Sequence, residues 1–220
     1  MKITSKHRNE FLKNGWAQVD MGLSNEQINN FRDGVEKLKE RAFSINYPLT
    51  ICYYPHISSR NIAGVEAPFN KLIINESVNC LFKTINLGKA IKELLNWESV
   101  HLTLARLFTM QDYKYRSHWH RDNSNWNGDL LNIEEIQVAL YLKEQNGFRI
   151  IKLDKDIWSE NNDSLSHSPK SSYIPLTINE EFYDEIKGYP GSIIFFAPGL
   201  IHQGNSNTER LDFHFRFSRF

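Results

Sequence analysis

The sequence predicts an α+β domain with a β-sandwich or barrel core and helical support at its N-terminal end. Three observations carry that expectation. In the first half apolar residues recur every three or four positions, the period of a helix. In the second half they recur every second position, the period of a strand. The two periods are segregated along the chain, which points away from alternating strand and helix units.

The elements follow in order. Ser24 and Gln27 have capping-box spacing, and Leu23 stands where a hydrophobic staple would. Ile28, Phe31, Val35, Leu38 and Ala42 then form one stripe, so a helix is expected from about 24 to 44. Tyr47 to His56 holds two prolines and many aromatics and reads as extended chain or loop. Helical character returns over Glu76–Ile85 and Lys89–Trp97. Val100 to Phe108 alternates as a strand buried on both faces. Ile136 to Leu142 is the next strand, Asn146-Gly147 a turn, and Phe148–Leu153 the strand after it. Ser192–Ala197 is a short buried strand closed by Pro198-Gly199. In the last strand Leu211, Phe213, Phe215 and Phe217 share one face, and Arg210, Asp212, His214 and Arg216 the other. The polar stretch 154–190 reads as an insertion or lid over a site, or as a surface excursion.

Composition narrows the function classes. The 220 residues suit a single domain spanning 1–220, with 1–98 as helical support and 99–220 as the β core. Lys and Arg number 26 against 26 Asp and Glu, which argues against nucleic-acid binding by bulk electrostatics and against a polybasic membrane anchor. Apolar content of 40% excludes disorder as the main state. The longest apolar run, Ile193 to Ile201, is too short for a membrane span and is broken by Pro198 and Gly199. Met1 to Arg8 is polar and lacks a signal-peptide core, so a cytoplasmic location is expected. Cys52 and Cys80 are too few for a disulfide scaffold and are expected to be reduced and buried.

The densest polar constellation is Arg116 to Asn123, which contains His120-x-Asp122. Residues two apart on a strand point to one face, so this imidazole and carboxylate can reach one metal ion. The pair alone is weak, since 8 histidines and 26 acids in 220 positions give about one His-x-acid pair by chance. A third ligand is supplied by His202, which emerges from a buried strand just past Pro198-Gly199 and is followed at once by Gln203-Gly204-Asn205. Eight residues later Arg210 heads the last strand, whose charged face needs partners if it is enclosed.

At this point the chain resembles the phytanoyl-CoA dioxygenase-like branch of the Fe(II)/2-oxoglutarate-dependent oxygenases. The resemblance runs through Phe11 to Trp16, Leu23-Ser24, Trp119 to Asp122, Val138 to Leu142 with Asn146-Gly147, Gly191 to His202, Asn207 and Arg210. It implies a double-stranded β-helix, a cupin-like jelly roll. It also implies iron held by His120, Asp122 and His202, and Arg210 on the far carboxylate of 2-oxoglutarate. The implied reaction uses O2, hydroxylates an unactivated C–H bond and releases succinate and CO2. The family often has a hydroxyl two residues past the distal histidine. Gly204 stands there in this chain, so Ser206 or Thr208 is the substitute. Arg216 shares the face of Arg210 and is its rival as anchor. The chain departs from the family after Asn146-Gly147, where Phe148 to Lys152 replaces the usual Pro-Gly-Ser-His, which bears on the substrate side.

The expected partner is a small molecule, anionic if Arg116, Arg121 or Arg149 takes part. His118, two residues before His120, replaces one ligand if the strand turns early and otherwise faces away or lines the entrance, and Tyr113, Tyr115, Trp119 and Trp126 are candidates for the pocket wall. Two other readings fit parts of the pattern. One is a jelly-roll ligand-binding module without catalysis; the other is a cupin-type metalloenzyme that does not use 2-oxoglutarate.

Overall fold

A computed structural model of the chain describes residues 1–42, 50–53, 63–66, 76–110, 115–116, 119–123, 128–154, 173–174, 179–206 and 210–220. It opens with helix α1 (Ser5–Asn14), capped by Thr4, whose hydroxyl accepts from the His7 N–H. Gly15 ends it at φ 77°, a left-handed conformation that glycine adopts at little cost. Strand β1 (Trp16–Asp20) follows at once. Helix α2 (Asn25–Ala42) starts with the reciprocal Ser24 and Gln27 hydrogen bonds of a capping box, at 2.9 and 3.2 Å. Ile28, Phe31 and Val35 are buried along it as the stripe requires. Helices α3 (Glu76–Ile85) and α4 (Leu87–Leu95) add to the helical support.

The strands are β2 (Thr50–Tyr53), β3 (Ala63–Glu66), β4 (His101–Met110), β5 (Tyr115–Arg116), β6 (Trp119–His120), β7 (Glu135–Tyr141), β8 (Gln145–Ile151), β9 (Tyr173–Ile174), β10 (Tyr183–Gly188), β11 (Ser192–Phe196), β12 (His202–Ser206) and β13 (Arg210–Ser218). They form two antiparallel sheets. One has seven strands in the order β1-β11-β7-β13-β4-β3-β2. The other has six, in the order β10-β8-β12-β6-β9 with β5 paired to β12. This is the double-stranded β-helix, an α+β fold with a mainly β core.

Register decides which face of the large sheet each residue takes. Phe213 pairs with Leu140 and Leu107, and Phe215 with Val138 and Ala105. These apolar residues are buried on the outer face, under the helices. Phe82 of α3 stands edge-on to Phe213 and Phe215 at 5.4 and 5.1 Å. The alternate residues, including Gln137, Asp212, His214 and Arg216, therefore face the smaller sheet. Phe148 of β8 meets Phe196 of β11 at 4.8 Å across that space.

Several elements differ from the sequence reading. The first 98 residues also supply β1, β2 and β3, three strands of the large sheet. Helix α4 begins two residues early, because the Asn86 side chain caps it by accepting from the Lys89 N–H. In β4, Ala105 and Leu107 are buried but His101 and Thr103 are exposed, so only part of that strand is enclosed. Asn146-Gly147 lies inside β8, not in a turn. β7 and β8 belong to different sheets, so the chain crosses over at Leu142–Glu144 and needs no tight hairpin.

The stretch 154–190 is not wholly an insertion. Its last part is a short 3₁₀ turn, Glu180–Phe182, and β10, which pairs with β8. Tyr183, Ile186 and Gly188 of β10 are buried, which the intervening Asp184, Glu185 and Lys187 hide in the sequence. Within that stretch 155–172 and 175–178 lie outside the described residues, as does its role as a lid. Cys80 is exposed, against the expectation of burial: Leu81 and Ile85 take the buried face of α3 and leave Cys80 on its outer side. Among the described residues no helix is long and apolar enough to cross a membrane.

Candidate metal centre

The site begins with a strand register. In the antiparallel pair β6·β12, His120 stands directly opposite His202. Opposed residues project to one face, so the two imidazoles meet, with ring centroids 4.2 Å apart. β12 continues the pairing to β8 on its other side, His202 opposite Ile150, which fixes the position of the strand within its sheet. The Phe148 and Phe196 rings wall His202 at 5.7 and 5.2 Å. His202 is 5% exposed.

Asp122 lies two residues beyond His120, where β6 has ended. The Asp122 and Asn123 N–H groups both donate to the Pro198 carbonyl, at 2.9 and 3.0 Å. The Pro-Gly corner that follows β11 thus holds the carboxylate in place. Asp122 Oδ2 is 3.4 Å from His202 Nε2. One ligand atom from each of His120, Asp122 and His202 lies within 4.8 Å of the others. That is the spacing of donors around one ion.

Supporting contacts orient these donors. His202 Nδ1 is 2.9 Å from the Leu200 carbonyl. A carbonyl only accepts, so Nδ1 carries the proton and Nε2 points at Asp122. Gln137 of β7, 6% exposed, donates through Nε2 to Asp122 Oδ2. Arg216 of β13, the register partner of Gln137, places Nη2 3.7 Å from Asp122 Oδ1. Asp122 therefore bridges the two sheets, next to His202 on one and a neutral and a cationic donor on the other. Burial pushes its pKa up. The His202 hydrogen bond, the charges of His202 and His120 and the Gln137 hydrogen bond outweigh this and hold the carboxyl well below its ordinary range.

Asp212 and His214, on the same face of β13 as Arg216, are also inside. Asp212 is fully buried and accepts from Gln145 Nε2 at 3.1 Å; His214 Nε2 is 2.7 Å away. Burial alone lowers the Arg121 guanidinium to about 10.

The structure thus brings His120, Asp122 and His202 together. Arg210 begins β13 opposite Met110, and Ser206 ends β12 opposite Tyr115; their side chains lie outside the description. Six residues separate Arg210 from Arg216 on β13, about 20 Å at ~3.3 Å per residue. Thr208, His118, Tyr113 and Trp126 lie outside the described residues, as do the side chains of Tyr115 and Arg116. Trp119 faces away from the triad and packs on Tyr183 at 5.4 Å. Arg149 is engaged on that same outer face: its Nη2 is 3.1 Å from Glu185 Oε2, and its guanidinium covers Tyr183 at 5.0 Å. It is an ion-paired residue of the sheet surface, not part of the metal centre. The sequence reading missed Gln137, whose signal was a lone amide inside the apolar run Ile136–Leu142. A cavity of ≈ 440 Å³ lined by Phe82, Leu87, Leu102, Phe215 and Phe217 lies on the helical side of the large sheet, and no triad residue lines it.

Fold and donors together define a class: a jelly-roll protein with a cluster of two imidazoles and one carboxylate able to hold a metal ion. The comparisons agree in fold. No family model matches the sequence, and no curated protein matches it. Solved structures do. AviO1 from Streptomyces viridochromogenes Tue57 aligns over 99% of this chain and 96% of its own, at 15% identity and a TM-score of 0.65. SnoN, a non-heme α-ketoglutarate-dependent epimerase from nogalamycin biosynthesis, was solved with Fe3+ and α-ketoglutarate. It aligns over 97% of this chain and 82% of its own, at 8% identity and a TM-score of 0.68. EctD from S. alaskensis, solved with 2-oxoglutarate and 5-hydroxyectoine, aligns over 98% and 76%, at 16% identity and a TM-score of 0.66. At these identities what is shared is the architecture.

Proposed function

We propose that the chain is an Fe(II)- and 2-oxoglutarate-dependent oxygenase of the phytanoyl-CoA dioxygenase-like type, which hydroxylates a C–H bond of a small, anionic molecule in the cytoplasm. The observation that carries this reading is the convergence of His120, Asp122 and His202 on adjoining strands of a jelly roll, with ligand atoms within 4.8 Å. The likeness to SnoN and EctD supports it, since their structures contain 2-oxoglutarate, and in SnoN iron as well.

The residues present fit the metal. Two imidazole nitrogens and one carboxylate on one side of an ion suit Fe(II) and leave positions for 2-oxoglutarate and O2. Iron so held, with both co-substrates, supplies oxidation of an unactivated C–H bond with release of succinate and CO2. The chain's own contribution is placement. The Leu200 carbonyl fixes the tautomer of His202, and Gln137 and Arg216 fix Asp122. Phe148 and Phe196 keep water from the imidazole edge. Arg216 supplies a cation beside Asp122 on the inner face of β13, and Arg210 is the residue assigned to the far carboxylate of 2-oxoglutarate.

The test is anaerobic metal analysis together with succinate formation from 2-oxoglutarate. Wild-type protein should bind one Fe(II) per chain and form succinate in air, whereas His120→Ala and His202→Ala should do neither. Wild-type protein that binds neither iron nor 2-oxoglutarate would overturn the reading and favour a ligand-binding jelly roll.

A further inference from the structure

We propose that the cavity on the helical side of the large sheet binds a small amphipathic carboxylate, its alkyl chain held between α3, α4 and β13 and its carboxylate at Lys83. No triad residue lines this cavity, so the inference stands apart from the oxygenase reading.

The first observation is the shape and its cause. The cavity measures ≈ 440 Å³, within the ~300–1,000 Å³ span of small-molecule sites. It follows from a break between two helices. α3 ends at Ile85 and α4 starts at Leu87, and Asn86 between them takes a left-handed φ of 46° and turns the chain. Phe82 of α3 and Leu87 of α4 stand on the walls, and Phe215 and Phe217 of β13 with Leu102 of β4 make the floor. Leu102 is the register partner of Phe217, so the floor runs across two strands. The backbone of α4 borders the cavity directly: a Cβ built on Gly88 meets no atom within 4 Å. The Phe82 and Phe215 rings stand at 83° to each other, and those of Phe215 and Phe217 at 46°. The surface therefore offers ring faces and edges in several directions. A bendable alkyl chain follows such a surface, whereas a flat ring system meets it at few points.

The second observation is charge. Lys83, in the last turn of α3, is the one charged residue lining the cavity. It is exposed, and among the described residues it makes no ion pair. Asn86, also exposed, shares the rim. Its Oδ1 accepts from the Lys89 N–H as the cap of α4, which leaves its amide NH2 as a donor. The first turn of α4 holds no acidic residue, so the positive end of that helix adds to Lys83 uncancelled. An apolar chamber with a cation and a donor at its rim matches an apolar chain that ends in one carboxylate.

The experiment uses linear carboxylates from hexanoate to decanoate as probes, with decanol and decyltrimethylammonium as neutral and cationic counterparts, all below their micelle concentrations. Binding is read by calorimetry, with thermal melting followed alongside. Each added methylene should tighten binding about fourfold, as burial of one CH2 does. Decanol should bind about two- to fivefold more weakly than decanoate, because an ion pair at an exposed rim contributes little, and the ammonium more weakly still. Gly88→Leu, which puts a side chain into the cavity, should weaken decanoate by about tenfold or more, and Gly88→Ala by less. Lys83→Met should weaken decanoate about two- to fivefold and leave decanol unchanged, and Lys83→Arg should restore it. His120→Ala should bind decanoate as wild type does. If Gly88→Leu binds decanoate as tightly as wild type, or His120→Ala loses it, the acid lies elsewhere and the proposal is wrong. It is equally wrong if decanol or the ammonium binds as well as decanoate, or if wild type binds no carboxylate. The Lys83 variants, changed at an exposed position, carry the test even where Gly88→Leu melts early. None of these outcomes touches iron or 2-oxoglutarate, so the oxygenase reading stands or falls separately.

Discussion

Gln137→Leu isolates the contribution of one support to the candidate metal centre. Gln137 is buried and donates to Asp122 Oδ2, while leucine fills much the same volume with no donor. Two routes give the size of the effect. A hydrogen bond to a charged group contributes about 1.5–3 kcal/mol. Loss of an outer support of a metal ligand costs roughly 10- to 100-fold in affinity, or about 1.4–2.7 kcal/mol. The ranges overlap, and the structure says where in them to expect the result. Arg216 stays 3.7 Å from the other oxygen, and the Asp122 side chain is 26% exposed, so water can replace part of the lost bond. The expected loss is therefore nearer the lower end, about 10- to 30-fold in Mn(II) or Co(II) affinity. Anaerobic calorimetric titration of metal-free protein measures it, with thermal unfolding run alongside. A variant that melts like wild type and binds metal within about twofold of it would refute the idea that Gln137 sets the Asp122 carboxylate.

Two further outcomes follow from the packing and the electrostatics. A Cβ added at Gly188 would lie 2.5 and 2.6 Å from Cδ1 and Cγ of Tyr141, a ring only 2% exposed, so Gly188→Ala should destabilise by about 1–3 kcal/mol and lower Tm by roughly 2–12 °C in scanning calorimetry. A melting point equal to wild type would mean that the Tyr141 ring yields freely. The fold lowers the pKa of Asp122 from the ordinary 3.8, so its stabilising contribution is present above that value and is lost as pH falls through the folded one. The stability difference between metal-free wild type and Asp122→Asn should shrink as pH falls below about 4 in urea unfolding, and a difference that widens on acidification would contradict the assignment.

Helix α2 and strand β13 were legible in the sequence because their signals are local. The capping box of Ser24 and Gln27 and the stripe of Ile28, Phe31 and Val35 need no partner to be read. The alternation from Leu211 to Phe217 likewise gives two faces without saying what either touches. β10 shows the limit: Tyr183 is buried on its outer face and Ile186 on its inner one, with a register shift against β8 between Ile186 and Gly188, and no period in the sequence marks that shift. Asn146-Gly147 shows the converse, a strong turn signal overridden because the chain passes from one sheet to the other just before it.

The sequence by itself determined the chemical inventory: His120-x-Asp122, a histidine after Pro198-Gly199, and arginines on one face of the last strand. Period and spacing are local properties, and they survive in any fold that keeps the strands. Only the tertiary structure decided that His120 stands opposite His202, and that the Pro198 carbonyl holds the Asp122 backbone. It alone placed Gln137 and Arg216 on the carboxylate and put Arg149 on the outer face with Glu185. The reason is register. A strand's side chains alternate with a period of two whatever it pairs with, but which residues oppose each other depends on how two whole sheets settle against one another.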